Sequence, residues 1–244
     1  MTSANPSAEA SSASPRVFAI ADTHLSFERP DRDMTRFGGH WRDHPEMIRV
    51  RCGEVVGPGD VLLLAGDLSW ATKRRDAGAD LAFLAALPGR KICIKGNHDH
   101  WWETGKDIEH AGLEVPPVRI GPLGIAGSRG WQAPRSGTEV FDRKMIARER
   151  ERLSRSLEAI RDAPVKIAML HFPPHPFLDV LSDHGVAEVV YGHIHLDPLP
   201  EDEPLAVHGE RLDGIRCWCV AADRIDFRPV QIPWSAPNQA APTD

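Results

Sequence analysis

The sequence predicts an α/β domain, because short apolar segments alternate along the chain with longer segments of amphipathic, helical character. Each apolar segment has the length of a β-strand, and the alternation favours an α/β domain over an all-helical or an all-β one. Six strands are predicted in this way, at 17–21, 61–65, 91–95, 123–126, 165–170 and 186–191.

Two helices are predicted from apolar residues at helical spacing. Segment 81–87 has Leu at every third position and is expected to end at Pro88. Segment 146–160 repeats apolar residues along one face. Its other face is expected to carry ion pairs such as that of Glu149 with Arg152 in contact with solvent.

The C-terminal part of the domain is predicted to be β-rich, because segment 206–230 contains short alternating runs without a helical period. Neither a repeat nor a linker divides the 244 residues, so a single domain is expected. Its expected limits are 16–232, with a disordered Ser- and Ala-rich leader at 1–15 and a loose tail at 233–244.

The composition is that of a globular protein and argues against two kinds of partner. A formal net charge of -6 disfavours a surface for long nucleic acid. No apolar run reaches the roughly 18 residues of a membrane span, and the leader lacks the apolar core of a secretory signal, so we expect a cytoplasmic protein.

The cysteines lack disulfide or zinc-site spacing and are interpreted as reduced core or strand residues: Cys52, Cys93, Cys217 and Cys219.

Residue types that bind metals follow the predicted strands. In open α/β sheets, ligands bind in the crevice beyond the carboxyl ends of the strands, where segments distant in sequence converge. Residues two apart in an extended backbone point to one side, so a pair such as Asp22 and His24 is expected to enter one site together. Each motif alone is weak, but five in one order predict a metal site. Its residues are Asp22, His24, Asp67, Asn97, His171, His193 and His195.

The order of these motifs resembles that of the calcineurin-like metallophosphoesterases. The resemblance covers about 17–227, and no metal-ligand position departs from the family pattern. It implies a four-layer αββα sandwich, in which two mixed β-sheets are flanked by helices. The motifs are Asp22-Thr23-His24, Gly66-Asp67, Gly96-Asn97-His98-Asp99, His171 and Gly192-His193-Ile194-His195.

The resemblance also implies how the ligands are divided between two divalent metal ions. Asp67 would bridge the two ions. Imidazole, carboxylate and amide ligands without a thiolate suit Mn, Fe, Zn or Co. The first ion would take Asp22, His24 and His195, and the second would take Asn97, His171 and His193.

Two metal ions would clamp the phosphoryl oxygens and activate a water or hydroxide for attack. We expect His98 to assist the leaving group, with Asp99 holding its ring and keeping it protonated. The alternative for Asp99 is a turn-capping carboxylate. For Arg129, contact with the substrate phosphate and a surface salt bridge are equally supported.

The predicted function is hydrolysis of a small phosphate mono- or diester by a metal-dependent phosphohydrolase. A metal-dependent nuclease is the first alternative, but it would need a basic track that the acidic net charge does not favour. A non-catalytic metal-binding scaffold is the second, although such proteins tend to lose ligands or the loop histidine, and His98 and all seven ligand positions remain here.

Overall fold

The computed structural model describes residues 14–196 and 208–235 of the chain. Ten strands in this part form two sheets. The strands are β1 (Val17–Ile20), β2 (Val61–Leu64), β3 (Arg90–Cys93), β4 (Val118–Ile120), β5 (Leu123–Gly127), β6 (Val165–Met169), β7 (Glu188–Tyr191), β8 (His208–Leu212), β9 (Ile215–Cys219) and β10 (Val230–Ile232). The helices are α1 (His44–Val55), α2 (Gly78–Ala86), α3 (Gly105–Glu109), α4 (Glu139–Glu158) and α5 (Leu178–Asp183).

Both sheets are mixed. The first has the order β10-β1-β2-β3 and the second β4-β5-β6-β7-β9-β8. β1, β2 and β3 are parallel, as are β5, β6, β7 and β9, while β10, β4 and β8 are antiparallel to their neighbours. The parallel strands therefore end at a common edge of each sheet, and the predicted ligands follow these ends.

Alternate residues of each central strand pack in different layers. Val17 and Ala19 contact the second sheet, whereas Phe18 and Ile20 face the helices α1, α2 and α3. The second sheet is covered on its outer side by α4 and α5. Because both faces are covered, the strands consist of apolar runs rather than an alternating pattern. The predicted four-layer αββα sandwich is confirmed.

The predicted helices at 81–87 and 146–160 correspond to α2 and α4, and the β-rich end corresponds to β8, β9 and β10. The prediction that Glu149 is in contact with solvent was wrong. Its side chain is buried, although it does bond to the exposed Arg152 over 2.6 Å. The i,i+3 spacing predicts the pair but does not decide which member faces the core.

The predicted leader and tail lie mostly outside the described residues, and the domain limits stay predictions. Within the described residues, no helix combines the length and the apolarity that a membrane crossing requires.

The four cysteines are buried and free, as predicted. Burial raises the pKa of Cys52 and Cys219 to about 12 and that of Cys217 to about 11. We expect a disulfide exchange reagent such as Ellman's to label none of them in the folded protein at neutral pH and all four in denaturant, since thiolate and access are both required. Rapid labelling of a folded sample would contradict the buried placement.

Candidate metal centre

The loops at the carboxyl ends of the strands bring predicted ligands into contact. Asp22 follows β1, and its Oδ1 atom lies 3.8 Å from Nε2 of His24 and 3.8 Å from Nε2 of His195. These two imidazole nitrogens are 3.3 Å apart. One carboxylate oxygen and two imidazole nitrogens from distant segments thus form a compact ligand group, which is the set predicted for the first ion.

A second ligand group lies beside the first, and Asp67 is adjacent to both. The Oδ2 atom of Asp67 is 3.4 Å from Nε2 of His171 and 3.8 Å from Nε2 of His24. The Oδ1 atom of Asn97 is 2.8 Å from the same His171 nitrogen. His193 is set further out, with its ring centroid 5.3 Å from that of His171. Of the predicted second set, Asn97 and His171 are in contact and His193 flanks them.

The ligand loops do not have the extended backbone that the sequence analysis assumed. Asp22, His24, Asp67 and His193 all have positive φ, at 56°, 41°, 52° and 70°. Such conformations are uncommon for residues other than glycine and concentrate at functional sites. The pair Asp22 and His24 therefore enters the site through a tight left-handed turn, and not because alternate residues of a strand point to one side.

Two glycines allow the loops to approach each other closely. A Cβ at Gly96 would overlap the backbone nitrogen and Oδ1 of Asp67, and one at Gly192 would overlap Oδ2 of Asp22. The glycines of the Gly-Asn and Gly-His motifs are thus required by packing against the ligand carboxylates.

We expect Gly96→Ala to displace Asp67 and to reduce bound metal and activity together. Gly53→Ala is the matched control, since it lies within α1 with open space around its Cβ. That substitution should stabilise the fold by about 0.5–1 kcal/mol, as Ala is the better helix former. Metal analysis and thermal unfolding of both variants test this. A Gly96→Ala protein with full metal content would show that the loops can separate without harm.

Asp99 is fully buried, and its carboxylate accepts backbone N–H groups from both neighbouring ligand loops. The donors are Leu68 at 2.9 Å, Ser69 at 3.1 Å and Gly96 at 2.8 Å, together with the indole of Trp101 at 3.2 Å. In the described part of the chain, none of its hydrogen bonds is made with the His98 ring. Of the two expected roles, these contacts match the turn-capping one, and the role of Asp99 towards His98 stays a prediction.

Burial and neighbouring charges shift the pKa values of the residues in the centre in different directions. Burial raises the pKa of Asp22 to about 7. Burial also disfavours ionisation of Asp67, but the imidazoles, His171 first, outweigh it and hold its pKa well below the usual range. In return, Asp67 overcomes the effect of burial and raises the pKa of His171 to about 9. A metal ion must displace such protons, because only the neutral imidazole is a ligand.

His195 is oriented by an acidic residue that the sequence analysis missed. Its Nδ1 atom lies 3.1 Å from Oδ1 of Asp223, whose other oxygen accepts the N–H of Leu196 at 2.9 Å. Carboxylates in this position fix the tautomer of a metal-binding histidine. Asp223 follows β9 closely, so the strand-end signal that identified the other residues could have found it.

His98 lies at the mouth of the centre. Its side chain is 39% exposed, and its Nε2 atom is 4.0 Å from Oδ2 of Asp67. Its ring packs against Trp70, with centroids 4.3 Å apart. Burial lowers the pKa of His98, and Asp67 opposes that shift. The structure thus places His98 beside the ligand groups with one side open to an incoming molecule.

Arg129 is half-buried behind His171, whose N–H donates to the Arg129 carbonyl at 2.9 Å. Its guanidinium stacks over Trp131 at 4.7 Å, and its Nε has no hydrogen-bond partner among the described residues. Burial lowers the pKa of Arg129, with Glu149 opposing the shift. Since no ion pair at the surface involves it in the described part, the phosphate role is the one that this position favours.

The centre suits divalent metal ions by its donor chemistry and by an unsatisfied atom. Oδ1 of Asp22, which faces His24 and His195, is buried and has no hydrogen-bond partner among the described residues. Burying such an atom without a partner is costly. Metal–ligand bonds of about 2.0–2.2 Å put two ligands of one ion about 3–4 Å apart, which agrees with the distances between these groups.

Comparisons with known proteins agree with this fold. Solved structures with similar folds include a protein of unknown function from Aquifex aeolicus, at 19% identity and a TM-score of 0.50, covering 89% of this chain and 96% of that one. Phosphopantetheinyl hydrolase from Mycobacterium tuberculosis gives 17% identity and a TM-score of 0.58, covering 94% and 99%. No curated protein sequence matches.

At these identities the structural neighbours establish the fold alone. The family assignment comes from the sequence match, because residues 15–197, three quarters of the chain, match the family described as calcineurin-like phosphoesterase. The resemblance stated from the motifs is confirmed. The chain belongs to the calcineurin-like phosphoesterases, a family of metal-dependent hydrolases of phosphoesters.

Proposed function

We propose that the chain hydrolyses a phosphate mono- or diester of a small molecule with two divalent metal ions. The position of Asp67 carries this proposal. Its Oδ2 atom lies between an imidazole of the first ligand group, His24, and one of the second, His171, at 3.8 and 3.4 Å. A carboxylate there can bridge two ions, and two adjacent ions neutralise phosphoryl oxygens and lower the pKa of water when they are bound.

The protein's own residues would supply the remaining steps. His98 would donate a proton to the leaving oxygen, since it is the partly exposed imidazole beside the ligand groups. Arg129 would hold a phosphoryl oxygen with its planar guanidinium, since its Nε is unpaired next to the His171 loop. Asp223 would keep His195 in the tautomer that leaves Nε2 free.

The test begins with protein stripped by a chelator and reloaded separately with Mn²⁺, Fe²⁺, Zn²⁺ and Co²⁺. Bound metal is counted by elemental analysis, and hydrolysis is measured with a matched aryl phosphate monoester and diester. We expect two ions per chain and turnover of at least one ester with at least one metal. A single ion per chain would refute the dinuclear part of the proposal.

Other outcomes would support the alternatives. Two bound ions without turnover of any ester would favour a metal-binding scaffold. Cleavage of plasmid DNA at a rate that exceeds hydrolysis of the small esters would favour a nuclease.

A further inference from the structure

The segment between β1 and α1 contains three short 3-10 helices, and the ring of its Trp41 lies 5.7 Å from that of His195 in the metal centre. It is fixed there by two buried side chains, Met34 and Trp41. The indole N–H of Trp70 donates to the sulfur of Met34 at 3.0 Å. Trp70 follows the Asp67 loop, so this bond joins the segment directly to a loop that carries a predicted ligand.

Trp70 lies between this segment and the metal centre. Its ring stacks on His24 with a centroid distance of 4.8 Å and an interplanar angle of 19°. It also contacts His98, with centroids 4.3 Å apart. Trp70 thus contacts both a predicted ligand and the histidine that we assign to the leaving group.

Two arginines of the segment lie over Trp70. The guanidinium carbon of Arg32 is 6.0 Å and that of Arg36 is 5.8 Å from the ring centroid. Arg36 has no carboxylate partner among the described residues. Arg32 lies 3.6 Å from Asp31, but that carboxylate is already bound by both arms of Arg29, at 2.9 and 2.8 Å.

Two poorly neutralised cations thus border the same indole ring in a chain with a net charge of -6. An anion bound beside Trp70 would neutralise both of these charges. The scissile phosphoryl group is assigned to the metal centre, so it does not fill this role. A guanidinium binds phosphate through two parallel hydrogen bonds, which favours a second phosphate as the occupant.

We infer that Arg32 and Arg36 bind a second phosphate group on the leaving-group side of the substrate. This inference rests on the proposed phosphoesterase function and narrows it to bisphosphorylated small molecules. Neither arginine takes part in bond cleavage. Both act on the choice of substrate.

The test uses monophosphates and bisphosphates of ethanediol, butanediol and hexanediol, with phosphate release as the readout. We expect kcat/KM for the best bisphosphate to exceed that of its monophosphate by about 10- to 100-fold, as charge-assisted hydrogen bonds typically give. The ratio should depend on the length of the diol, because the second phosphate must reach the arginines.

The double variant Arg32→Ala/Arg36→Ala should bring this ratio close to one, and Arg36→Lys should keep part of it. Arg49→Ala is the control, since it removes an exposed arginine on α1 that pairs with Glu46. A preference that survives the double variant, or wild-type protein that hydrolyses both classes equally, would overturn the inference while leaving the phosphoesterase function intact. Hydrolysis of neither class by protein that still hydrolyses the aryl diester would overturn the inference alone, and hydrolysis of no ester with any metal would overturn both.

Discussion

Replacing Asp67 by Ala should remove both metal ions and reduce kcat/KM by more than the about 10²–10³-fold that loss of one electrostatic stabiliser costs in other enzymes. The physical reason is that Asp67 contacts both ligand groups. Without it, His24 and His171 lose the buried negative charge between them, and the two ions would repel each other without a bridge. Elemental analysis of the purified variant, with steady-state kinetics on an aryl phosphate, measures the effect.

Two further variants separate charge from folding. Asp67→Asn keeps an acceptor for the N–H of His98, which the wild-type carboxylate binds at 2.8 Å, but removes the charge. We expect it to fold and to bind less metal than wild type. Asp179→Ala, which removes an exposed carboxylate paired with Arg150, should retain full metal content. An Asp67→Ala protein with two bound ions would show that the bridge lies elsewhere.

Replacing His98 by Ala should leave the metal content unchanged and lower kcat by about 10²–10⁴-fold, the range for a general acid. The loss should be larger for an alkyl phosphate than for a nitrophenyl phosphate, because an acidic phenol leaves without a proton donor. This difference between substrates identifies a role in protonation, which a structural defect would not reproduce.

His100→Ala is the matched control for this variant. His100 is exposed, and its ring lies 6.4 Å from that of His98, so it shares the loop but not the position beside Asp67. We expect its kinetics to resemble wild type for both substrates. If His98→Ala instead lost its metal ions, the separation of His98 from the ligands would be incorrect.

The convergence of the predicted ligands could be expected from sequence because of two simple features. Each lies directly after an apolar strand, and parallel strands end at the same edge of a sheet. Neither feature contains information on backbone conformation. The left-handed turns at Asp22 and Asp67 result from contacts between loops that are distant in sequence, such as the close approach of Gly96.

Other parts of the site depend on pairings that a linear pattern does not show. Asp223 reaches His195 because β9 pairs with β7, although the two residues are 28 positions apart. The burial of Glu149 depends on how α4 lies on the sheet. Helix α1 was missed because its buried residues, His44, Ile48 and Cys52, include only one strongly apolar side chain.

The four donors that converge on Asp99 indicate that the cleft is already formed before a metal ion binds. This carboxylate ties the loop after β2 to the loop after β3 through bonds within the protein, so the geometry of the cleft does not depend on an incoming ion. A preorganised binding site loses little binding free energy to the ordering of its own residues. We therefore expect metal binding to change the backbone little, so that the metal-free and metal-loaded forms are nearly superimposable.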